Sequence, residues 1–393
     1  MTSRTTRIGS VVIAAWFAFA AAADDVQLRI ITFNTKEGVS SSPEAYEAAG
    51  NQLTILDFDG SGPNVGLSPT ILCVQETREE EDLEAFRDDY LPGYQVVRGS
   101  RYTDDYGGNN QGYIFQGDFV VLDFTEFPHG GPRRHHRIVL EVPGSDEVLV
   151  VYNAHFKAGQ DTSDENTRRT EANHLANRVA LDHAEGIDTD GDSEPDVFTG
   201  YYLVTGDLNQ DDFSEDVIDA LLEGGDNGLD PGLNDVRVET LAGAGIGGPF
   251  IGGTYSTRSS PPLQKRYDYV LASGAIFDQF DTDDNGIWTQ DELNAAGFSY
   301  FSGDDGGQQA SGDIDASQVA SDHSPVVVDF TLPGSEGIPG DLDGDGDVDQ
   351  GDLGILLADW GCTGGNCPGD CDGDGDTDQA DLGVLLANFG TGT

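Results

Sequence analysis

Several apolar segments of this chain end in carboxylate, amide or imidazole side chains, which can bind a metal ion or move a proton. The segments are LRIITFN, ending at Asn34, TILCVQE, ending at Glu76, VLVVYNAH, ending with Asn153 and His155, and YYLVTGDLN, ending with Asp207 and Asn209. Carboxylate and amide oxygens are ligands for hard metal ions, and aspartate and histidine can transfer protons in catalysis. These segment ends therefore indicate one site that could bind a metal ion and transfer protons.

The segments that carry these side chains have the length and composition of buried β-strands. The carboxyl ends of strands in an α/β sheet meet at one edge, and sites form there. Two later segments extend the set, because KRYDYVLAS places Asp268 in a strand and SDHSPVVVDF places Asp322 and His323 just before one. One polar residue at such a place is more often a turn former or a satisfied core group. Six such segments in order favour one shared site.

The ordered motifs TFN, VQE, NAHFKAG, GDLN, YDYV and SDHSP resemble those of the endonuclease/exonuclease/phosphatase family over about Leu28 to Phe330. The resemblance implies an α/β fold, a four-layer α/β/β/α sandwich with two sheets face to face and helices outside. It also implies an enzyme that cleaves phosphate esters with a divalent metal ion, usually Mg²⁺. This chemistry suits the residue types, because it requires an oriented water, neutralised phosphoryl charge and help for the leaving oxygen.

The resemblance also implies roles for individual residues. The implied metal ligands are Asn34, Glu76 and Asp322. The implied catalytic residues, with the two histidines on opposite sides of the phosphorus, are His155, Asp207, Asn209, Asp268 and His323. The implied substrate-binding residues are Arg78, Asn153 and Asn209. The remaining histidines match no motif and are interpreted as surface or loop residues: His129, His135, His136, His174 and His183.

The identity of the phosphate ester stays open at this point. Arg78 follows Glu76 by two residues, as in secreted deoxyribonucleases of the family, and this favours a nuclease that acts on DNA or RNA. A phosphodiesterase or phosphatase that acts on lipid or inositol headgroups is the second hypothesis. The third is a non-catalytic module, and the retention of the complete residue set argues against it.

Residues 1–23 have the pattern of a cleaved secretory signal, because Arg4 and Arg7 precede an apolar stretch that ends in three alanines. They predict an exported protein with a monomeric catalytic domain at 24–332. The chain has 72 acidic and 19 basic residues, a formal net charge of -53, and no Lys or Arg after Arg266. A segment with so many carboxylates repels itself unless divalent cations neutralise it. Bound calcium is therefore expected.

A predicted linker at 333–339 precedes an internal repeat at 340–393, where GDLDGDGDVDQGDLGILLADWG aligns with GDCDGDGDTDQADLGVLLANFG. EF-hand spacing in each copy predicts these calcium ligands: Asp341, Asp343, Asp345, Asp349, Asp352, Asp370, Asp372, Asp374, Asp378 and Asp381. Apolar residues at helical spacing predict one amphipathic helix after each loop. The repeat resembles a type I dockerin, which implies a small all-α calcium-binding domain, a cohesin-type partner and attachment at the cell surface.

One further calcium loop and a group of cysteines complete the sequence pattern. The segment DTDDNGIWTQDE fits an EF-hand loop and predicts the ligands Asp281, Asp283, Asn285 and Glu292. Cys362, Cys367 and Cys371 lie between the two repeat helices, and they predict one local disulfide and one thiol without deciding the pair. Cys73 lies in an apolar strand and is predicted to be a small buried hydrophobe.

Overall fold

The chain divides into two compact units, one formed by Asp25–Pro333 and the other containing Gly334–Thr393. The computed structural model describes residues 25–36, 42–54, 67–100, 110–129, 133–210, 215–236, 240–242, 266–281, 297–301, 321, 323, 325–335, 337–344, 346–364 and 367–391. The predicted signal segment lies outside these residues, and the domain boundaries stay predictions. None of the helices in the described ranges is long and apolar enough to cross a membrane.

Thirteen strands in the described part of the first unit form two sheets. Their bounds are β1 Val26–Asn34, β2 Ile71–Thr77, β3 Gln95–Arg98, β4 Asn110–Phe115, β5 Val120–Phe127, β6 His135–Glu141, β7 Val148–His155, β8 Tyr202–Asp207, β9 Leu233–Asp235, β10 Thr240–Ala242, β11 Asp268–Ser273, β12 Gly297–Phe301 and β13 Val326–Leu332. Seven strands form one sheet in the order β10-β12-β13-β1-β2-β4-β3, and six form the other in the order β5-β6-β7-β8-β11-β9. The pairs β1–β2 and β7–β8 are parallel, so the members of each pair end at the same edge.

Helices cover the outer faces of both sheets. Their bounds in the first unit are α1 Pro43–Thr54, α2 Glu80–Tyr90, α3 Thr162–Glu185, α4 Glu215–Glu223 and α5 Gly274–Phe277, with a 3₁₀ turn at Asp278–Phe280. One apolar cluster joins the facing sides of the two sheets, a second joins the first sheet to α1 and α2, and a third joins the second sheet to α3 and α4. Strands buried on both faces must be apolar at successive positions, which explains the continuous apolar runs in the sequence. The predicted two-sheet α/β sandwich is confirmed.

The second unit has two helices and a much smaller core. Helix α6 spans Gln350–Ala358 and helix α7 spans Gln379–Asn388. Its fully buried apolar residues in the described part are Val348, Leu356 and Leu385. The sequence predicted one amphipathic helix after each loop, with an apolar face that would be buried. Instead part of each face is exposed, with Leu357 at 55% and Leu386 at 56% on the helices, and Trp360 at 48% and Phe389 at 44% just after them.

The cysteines behave as their spacing indicated. Cys362 and Cys367 form a disulfide bond, with their Cα atoms 5.7 Å apart, and Cys371 keeps a free thiol. Cys73 is fully buried in β2, and burial raises the pKa of its thiol to about 12. This thiol is therefore an apolar packing element and not a nucleophile at neutral pH.

Candidate active site

The strand register brings the predicted catalytic residues of the second sheet side by side. His155 pairs with Asp207 across the parallel strands β7 and β8, and Asp207 pairs with Asp268 across β8 and β11. All three are almost completely buried. Asp207 therefore lies between an imidazole on one neighbouring strand and a carboxylate on the other.

His323 comes to the same place from the segment before β13. Its Nδ1 atom lies 2.7 Å from Asp268 Oδ2, and its Nε2 atom lies 3.7 Å from Asp207 Oδ2. The Asp268 carboxylate accepts a hydrogen bond from Nδ1, which fixes the ring orientation and leaves Nε2 directed toward Asp207. The predicted positioning of His323 by Asp268 agrees with this geometry.

Asp207 has the electrostatic environment of a proton-transfer group. Burial raises its pKa from 3.8 to about 7, and the negative charge of Asp268 adds to this effect. His323 and hydrogen bonds from Asn209 and Asn34 act in the opposite direction. Asn34 Nδ2 donates to Asp207 Oδ2 at 2.8 Å, and the backbone N–H of Asn209 donates to Oδ1, also at 2.8 Å. A carboxylate with a pKa near neutrality can accept and release a proton under ordinary conditions.

His155 lies between two carboxylates. Its Nε2 atom is 3.7 Å from Glu76 Oε1 and 3.5 Å from Asp207 Oδ2. Burial lowers the pKa of His155 well below its ordinary value, and the positive charge of Arg133 contributes in the same direction. His155 is therefore a neutral imidazole at pH 7.

Glu76 reaches this site because β2 is irregular at its end. The register of β2 against β4 shifts between Val74 and Thr77, and Glu76 has a left-handed backbone with φ of 63°. A left-handed conformation is strained for a residue other than glycine, so the surrounding structure must enforce it. The bulge turns the Glu76 carboxylate toward Asn34 and His155 and leaves 21% of its side chain exposed.

Asn34 has a different role in this arrangement from the one the motif implied. Its Nδ2 atom donates to Asp207 Oδ2 and lies 3.3 Å from Glu76 Oε1, and its Oδ1 atom accepts from the backbone N–H of Lys36. A metal ligand must present oxygen, whereas Asn34 presents nitrogen to both carboxylates. Here Asn34 holds the two acids together.

Two predicted substrate contacts are directed away from the site. Asn153 is fully buried and donates to the backbone oxygens of Val74 and Gly112, so it joins the two sheets. A substrate-binding role for Asn153 does not fit this placement, because its amide hydrogens are used inside the core. Asn209 Nδ2 donates to Phe156 O at 3.1 Å, which fixes the segment after His155.

The other predicted residues near this edge are Arg78 and Asp322. Arg78 is exposed, two residues beyond Glu76, where its guanidinium can meet a ligand in solvent. Asp322 lies outside the described residues. The calcium-loop residues Asp283, Asn285, Glu292 and Asp345 also lie outside them, whereas Asp281 is described at the end of the 3₁₀ turn.

The interpretation of the remaining histidines as surface or loop residues was wrong for His135 and His136, which are buried in β6, whereas His129 lies in the loop after β5. His129 is 9% exposed, His135 1% and His136 0%, because β5, β6 and α3 enclose them. Burial lowers the pKa of His136 to about 4. Periodicity could have indicated this, since His135 and His136 begin the apolar run of β6.

Sequence reasoning also missed residues that hold the site together. Ser321 Oγ donates to Asn34 O at 2.5 Å and accepts from the backbone N–H of His323 at 3.1 Å, so it joins β1 to His323. On the opposite side, Glu171 Oε2 accepts from the backbone N–H of Lys157, and Arg168 donates to Lys157 O. Helix α3 therefore fixes the segment after His155.

The side chains at this edge fit a hard divalent cation. Glu76 and Asp207 converge on Asn34 Nδ2 and His155 Nε2, and Asp207, Asp268 and His323 form a second group whose ligand atoms lie within 4.8 Å of one another. Converging carboxylates repel one another, and a cation relieves that repulsion. Carboxylate oxygens are the ligands that Mg²⁺ accepts while it keeps several waters.

Comparison with known proteins identifies the family. A sequence model of the Endonuclease/Exonuclease/phosphatase family matches residues 32–323, which is more than half of the chain and includes the site residues from Asn34 to His323. The chain belongs to this family. It is a metal-dependent phosphoric ester hydrolase, as the ordered motifs predicted. Among curated proteins, none matches this member of the family.

Several solved structures are similar to this family member. An endonuclease/exonuclease/phosphatase from Bacteroides vulgatus is 15% identical, with a TM-score of 0.48, and covers 78% of this chain and 99% of its own. Truncated Caenorhabditis elegans TDP2 is 14% identical, with a TM-score of 0.46, and covers 78% and 98%. The human Nocturnin catalytic domain with bound sulfate is 16% identical, with a TM-score of 0.46, and covers 78% and 95%.

Proposed function

We propose that this protein is a secreted, metal-dependent phosphodiesterase that acts as a nuclease on DNA or RNA. The observation that carries the proposal is the buried contact between His323 and Asp268, with Asp207 next to both. This group places a proton acceptor and an oriented imidazole together at the edge of the second sheet. Hydrolysis of a phosphodiester requires both.

A divalent metal ion would be held at the carboxylates of this edge, with Glu76 as the first ligand and Asp322 as a predicted second. When bound, it would neutralise charge on the phosphoryl oxygens and assist the departing alkoxide. Asn34 orients Glu76 and Asp207 for this purpose through its amide nitrogen. The Glu76 side chain is 21% exposed and that of Asp207 is 2% exposed, so Glu76 is the more accessible of these two to an ion that arrives from solvent.

The proton of the attacking water is taken by Asp207. Its pKa of about 7 leaves enough carboxylate at neutral pH to accept a proton, and the acid formed is stable in this buried position. His323, held by Asp268, presents Nε2 beside Asp207 and hydrogen-bonds to the reacting phosphoryl group. Asp268 acts as a positioning residue for that imidazole.

His155 acts on the other side of the phosphorus as a neutral donor. Its ring lies next to Asp207 and Glu76, the two carboxylates at which a cation would bind. The lowered pKa of His155 keeps the ring uncharged there. Asn209 supports this strand end through its hydrogen bond to Phe156 O. A neutral imidazole can hydrogen-bond to a phosphoryl or leaving oxygen without competing electrostatically with the metal ion.

The preference for a nucleic acid rests on the exposed Arg78 beside the metal ligand Glu76. An arginine there can contact a second phosphate of a polymer while the first is cleaved. Lipid or inositol headgroups are the competing substrates.

The test is cleavage of supercoiled plasmid, linear DNA and RNA with Mg²⁺, Ca²⁺ or both. Wild-type protein should cut at least one nucleic acid only with metal, and Arg78→Ala should weaken binding while leaving hydrolysis of a small phosphodiester unchanged. Hydrolysis of headgroup phosphates without any nucleic acid cleavage would overturn the choice of substrate.

For residues 340–393 we propose a dockerin-like attachment domain that binds calcium and a cohesin-type partner. Asp341 accepts the backbone N–H groups of Gly344 and Gly346, and Asp370 accepts those of Gly373 and Gly375, so both loops are wound in the same way. Asp352 and Asp381 each accept three backbone N–H groups in their own loops. Matching loops with acidic groups support two calcium sites.

The partner surface would be the exposed apolar residues that occupy equivalent positions on α6 and α7. Exposed apolar residues of this size favour protein contact over contact with water. Binding to an immobilised cohesin with calcium, lost after Leu357→Asp and Leu386→Asp together, would support this assignment. Unchanged binding by the double variant would contradict it.

A further inference from the structure

Three histidines meet on the helix-covered side of the second sheet, apart from the catalytic edge. His129 follows β5, His135 begins β6 and His174 lies on α3. The rings of His129 and His135 stack with centres 3.9 Å apart, and the His174 ring centre lies 5.8 Å from the first and 6.0 Å from the second. Three elements therefore deliver imidazoles to one buried point.

The ring nitrogens of His135 are unequally satisfied. Nε2 lies 3.1 Å from Glu171 O and donates its hydrogen to that carbonyl, which puts the ring lone pair on Nδ1. His135 is 1% exposed, and its Nδ1 has no hydrogen-bond partner within the described part of the chain. The same holds for the buried Nδ1 of His174. Unsatisfied buried acceptors are uncommon in native structures and require an explanation.

The surroundings of the three rings favour a neutral state. The pKa of each is lowered, first by burial and then by a neighbouring positive charge, which is Arg178 for His174 and another histidine for the other two. Hydrogen bonds to the backbone, including that of Arg133 for His129, act in the opposite direction. A neutral imidazole with a lone pair is the form of histidine that binds a metal ion.

We propose that His129, His135 and His174 form a second metal site, which binds a borderline transition metal ion such as Zn²⁺. Imidazole nitrogen suits zinc, copper and nickel, whereas the oxygen-rich catalytic edge suits magnesium. The hydrogen bond from His135 to Glu171 O is the outer contact that orients ligand histidines in known metal sites. With three protein ligands, water would complete the coordination.

The observed spacing is close to what one ion requires. Nitrogen atoms about 2.0–2.1 Å from zinc in tetrahedral geometry place imidazole centres roughly 5 Å apart. The stacked pair, whose ring planes lie 16° apart, would therefore have to separate by about 1 Å and tilt so that both lone pairs point to one ion, and His174 would move inward by a similar distance. His174 is partly exposed on the helix surface, so its side chain has room to move.

The site would stabilise the strand end that carries His155. The His135 ring packs 5.4 Å from the ring of Phe156, the residue after His155. Phe156 O accepts from both Asn209 and Arg133. An ion bound by residues of β6 and α3 would join these elements behind the catalytic edge, without contact with substrate. The role inferred is structural.

The test is zinc content at equilibrium, measured on the complete protein in excess Ca²⁺ and Mg²⁺, which occupy the oxygen-rich sites. Wild-type protein should keep one equivalent of Zn²⁺ after gel filtration. His174→Gln should bind Zn²⁺ at least about 10–100-fold more weakly. That is the loss in affinity when a residue that hydrogen-bonds to a metal ligand is replaced, and replacing the ligand itself should weaken binding at least as much. His183→Gln is the matched control, because His183 is an exposed histidine on the same helix, and it should bind as wild type does.

A cobalt-substituted sample provides a second measurement that does not depend on any variant. Co²⁺ held by three imidazoles gives the intense visible absorption of low-coordinate cobalt, whereas Co²⁺ in carboxylate loops gives only weak absorption. Intense absorption that Zn²⁺ removes would support the site. Zinc binding that is unchanged in His174→Gln and in His129→Gln, or absent from wild type, would overturn the proposal.

Discussion

The two units of this chain use aspartate in opposite ways. In the sandwich, apolar clusters between and outside the sheets fix the backbone, and Asp207 and Asp268 are buried at the sheet edge. In the second unit three fully buried apolar residues form the described core, and aspartates organise the loops by accepting backbone N–H groups. The described apolar core is therefore large in the first unit and small in the second, and a small core contributes little to stability.

Burial and hydrogen bonding together account for this difference in the behaviour of single carboxylates: Asp352 is as buried as Asp207, but its three hydrogen bonds from backbone N–H groups outweigh burial and lower its pKa. Asp207 is 1% exposed, and burial raises its pKa to about 7. Asp349 and Asp378 instead cap α6 and α7, where each accepts a backbone N–H of the first turn. A cap stabilises a helix by about 1 kcal/mol, which is small beside the core of a domain. The predictions below test this contrast.

The largest effect is expected at Asp207. Asp207→Asn keeps the shape of the side chain, but it has one acceptor oxygen in place of the two that accept from Asn34 and Asn209, and it cannot accept the proton of water. We expect kcat to fall by about 10²–10⁴-fold. Steady-state hydrolysis of a small phosphodiester with Mg²⁺ measures this. Asp278→Asn, at an exposed aspartate of the same unit, is the control and should leave kcat unchanged.

Calcium removal should unfold the second unit and leave the first unit folded. With a chelator present, amide hydrogens of α6 and α7 should exchange as in an unfolded chain, because the loop carboxylates repel one another and the core is small. The strands β1, β7 and β8 should stay protected. Hydrogen exchange resolved by segment shows both. Equal protection of α6 and α7 with and without calcium would refute the dependence of this unit on the ion.

The buried acid Glu171, on α3, should make the free energy of unfolding depend on pH. Burial raises the pKa of Glu171 from 4.5 to about 7. Because the raised pKa favours protonated Glu171 in the folded state, the protein is most stable, as far as Glu171 is concerned, below the ordinary pKa of 4.5. This stability is lost as the pH rises through about 7, where Glu171 ionises in the folded protein. Glu171→Gln removes the ionisation and keeps an acceptor for Lys157 N.

We expect Glu171→Gln to have a free energy of unfolding about 2–3 kcal/mol higher than wild type at about pH 8.5, and nearly equal to it below about pH 4.5. Urea unfolding at both pH values measures the difference. Glu185→Gln, at the exposed end of the same helix, should show no such dependence. A pH-independent difference for Glu171→Gln would show that the carboxylate is not the cause.

The smallest effect is expected from the disulfide between Cys362 and Cys367. Replacing both by serine releases a short loop, and the loss of this constraint costs about 2 kcal/mol in chain-entropy terms. The thermal midpoint of α6 and α7 in saturating calcium should fall, while that of the sandwich stays constant. An unchanged midpoint would mean that bound calcium already fixes the connection.

Much of the site was predictable because each strand ends with its functional residue. Asn34, Glu76, His155 and Asp207 occupy the strand ends that the motifs indicated, and parallel pairing brings neighbouring ends together. Strand alternation could not distinguish Asn153 from His155, since both point to the same side of β7. Only the position of the opposite sheet shows that Asn153 is enclosed.

Other features depend on contacts between distant segments. His135 and His136 follow two arginines and read as a surface segment, but helix α3 covers His135, and His136 faces the space beside Phe124. Glu76 is turned into the site by a bulge, which no local pattern indicates. On α6 and α7 the helical apolar spacing was correct, but a core so small buries only part of each face.

The central claim is that the group around His323 hydrolyses a phosphodiester with metal. The most direct test is hydrolysis of a small activated phosphodiester by wild type and by His323→Ala, each with Mg²⁺ and with a chelator, after circular dichroism has shown equal folding. The account predicts hydrolysis by wild type only with Mg²⁺, and a loss of at least about 10²-fold in His323→Ala. Equal rates for the two proteins, or a rate that does not respond to the chelator, would contradict it.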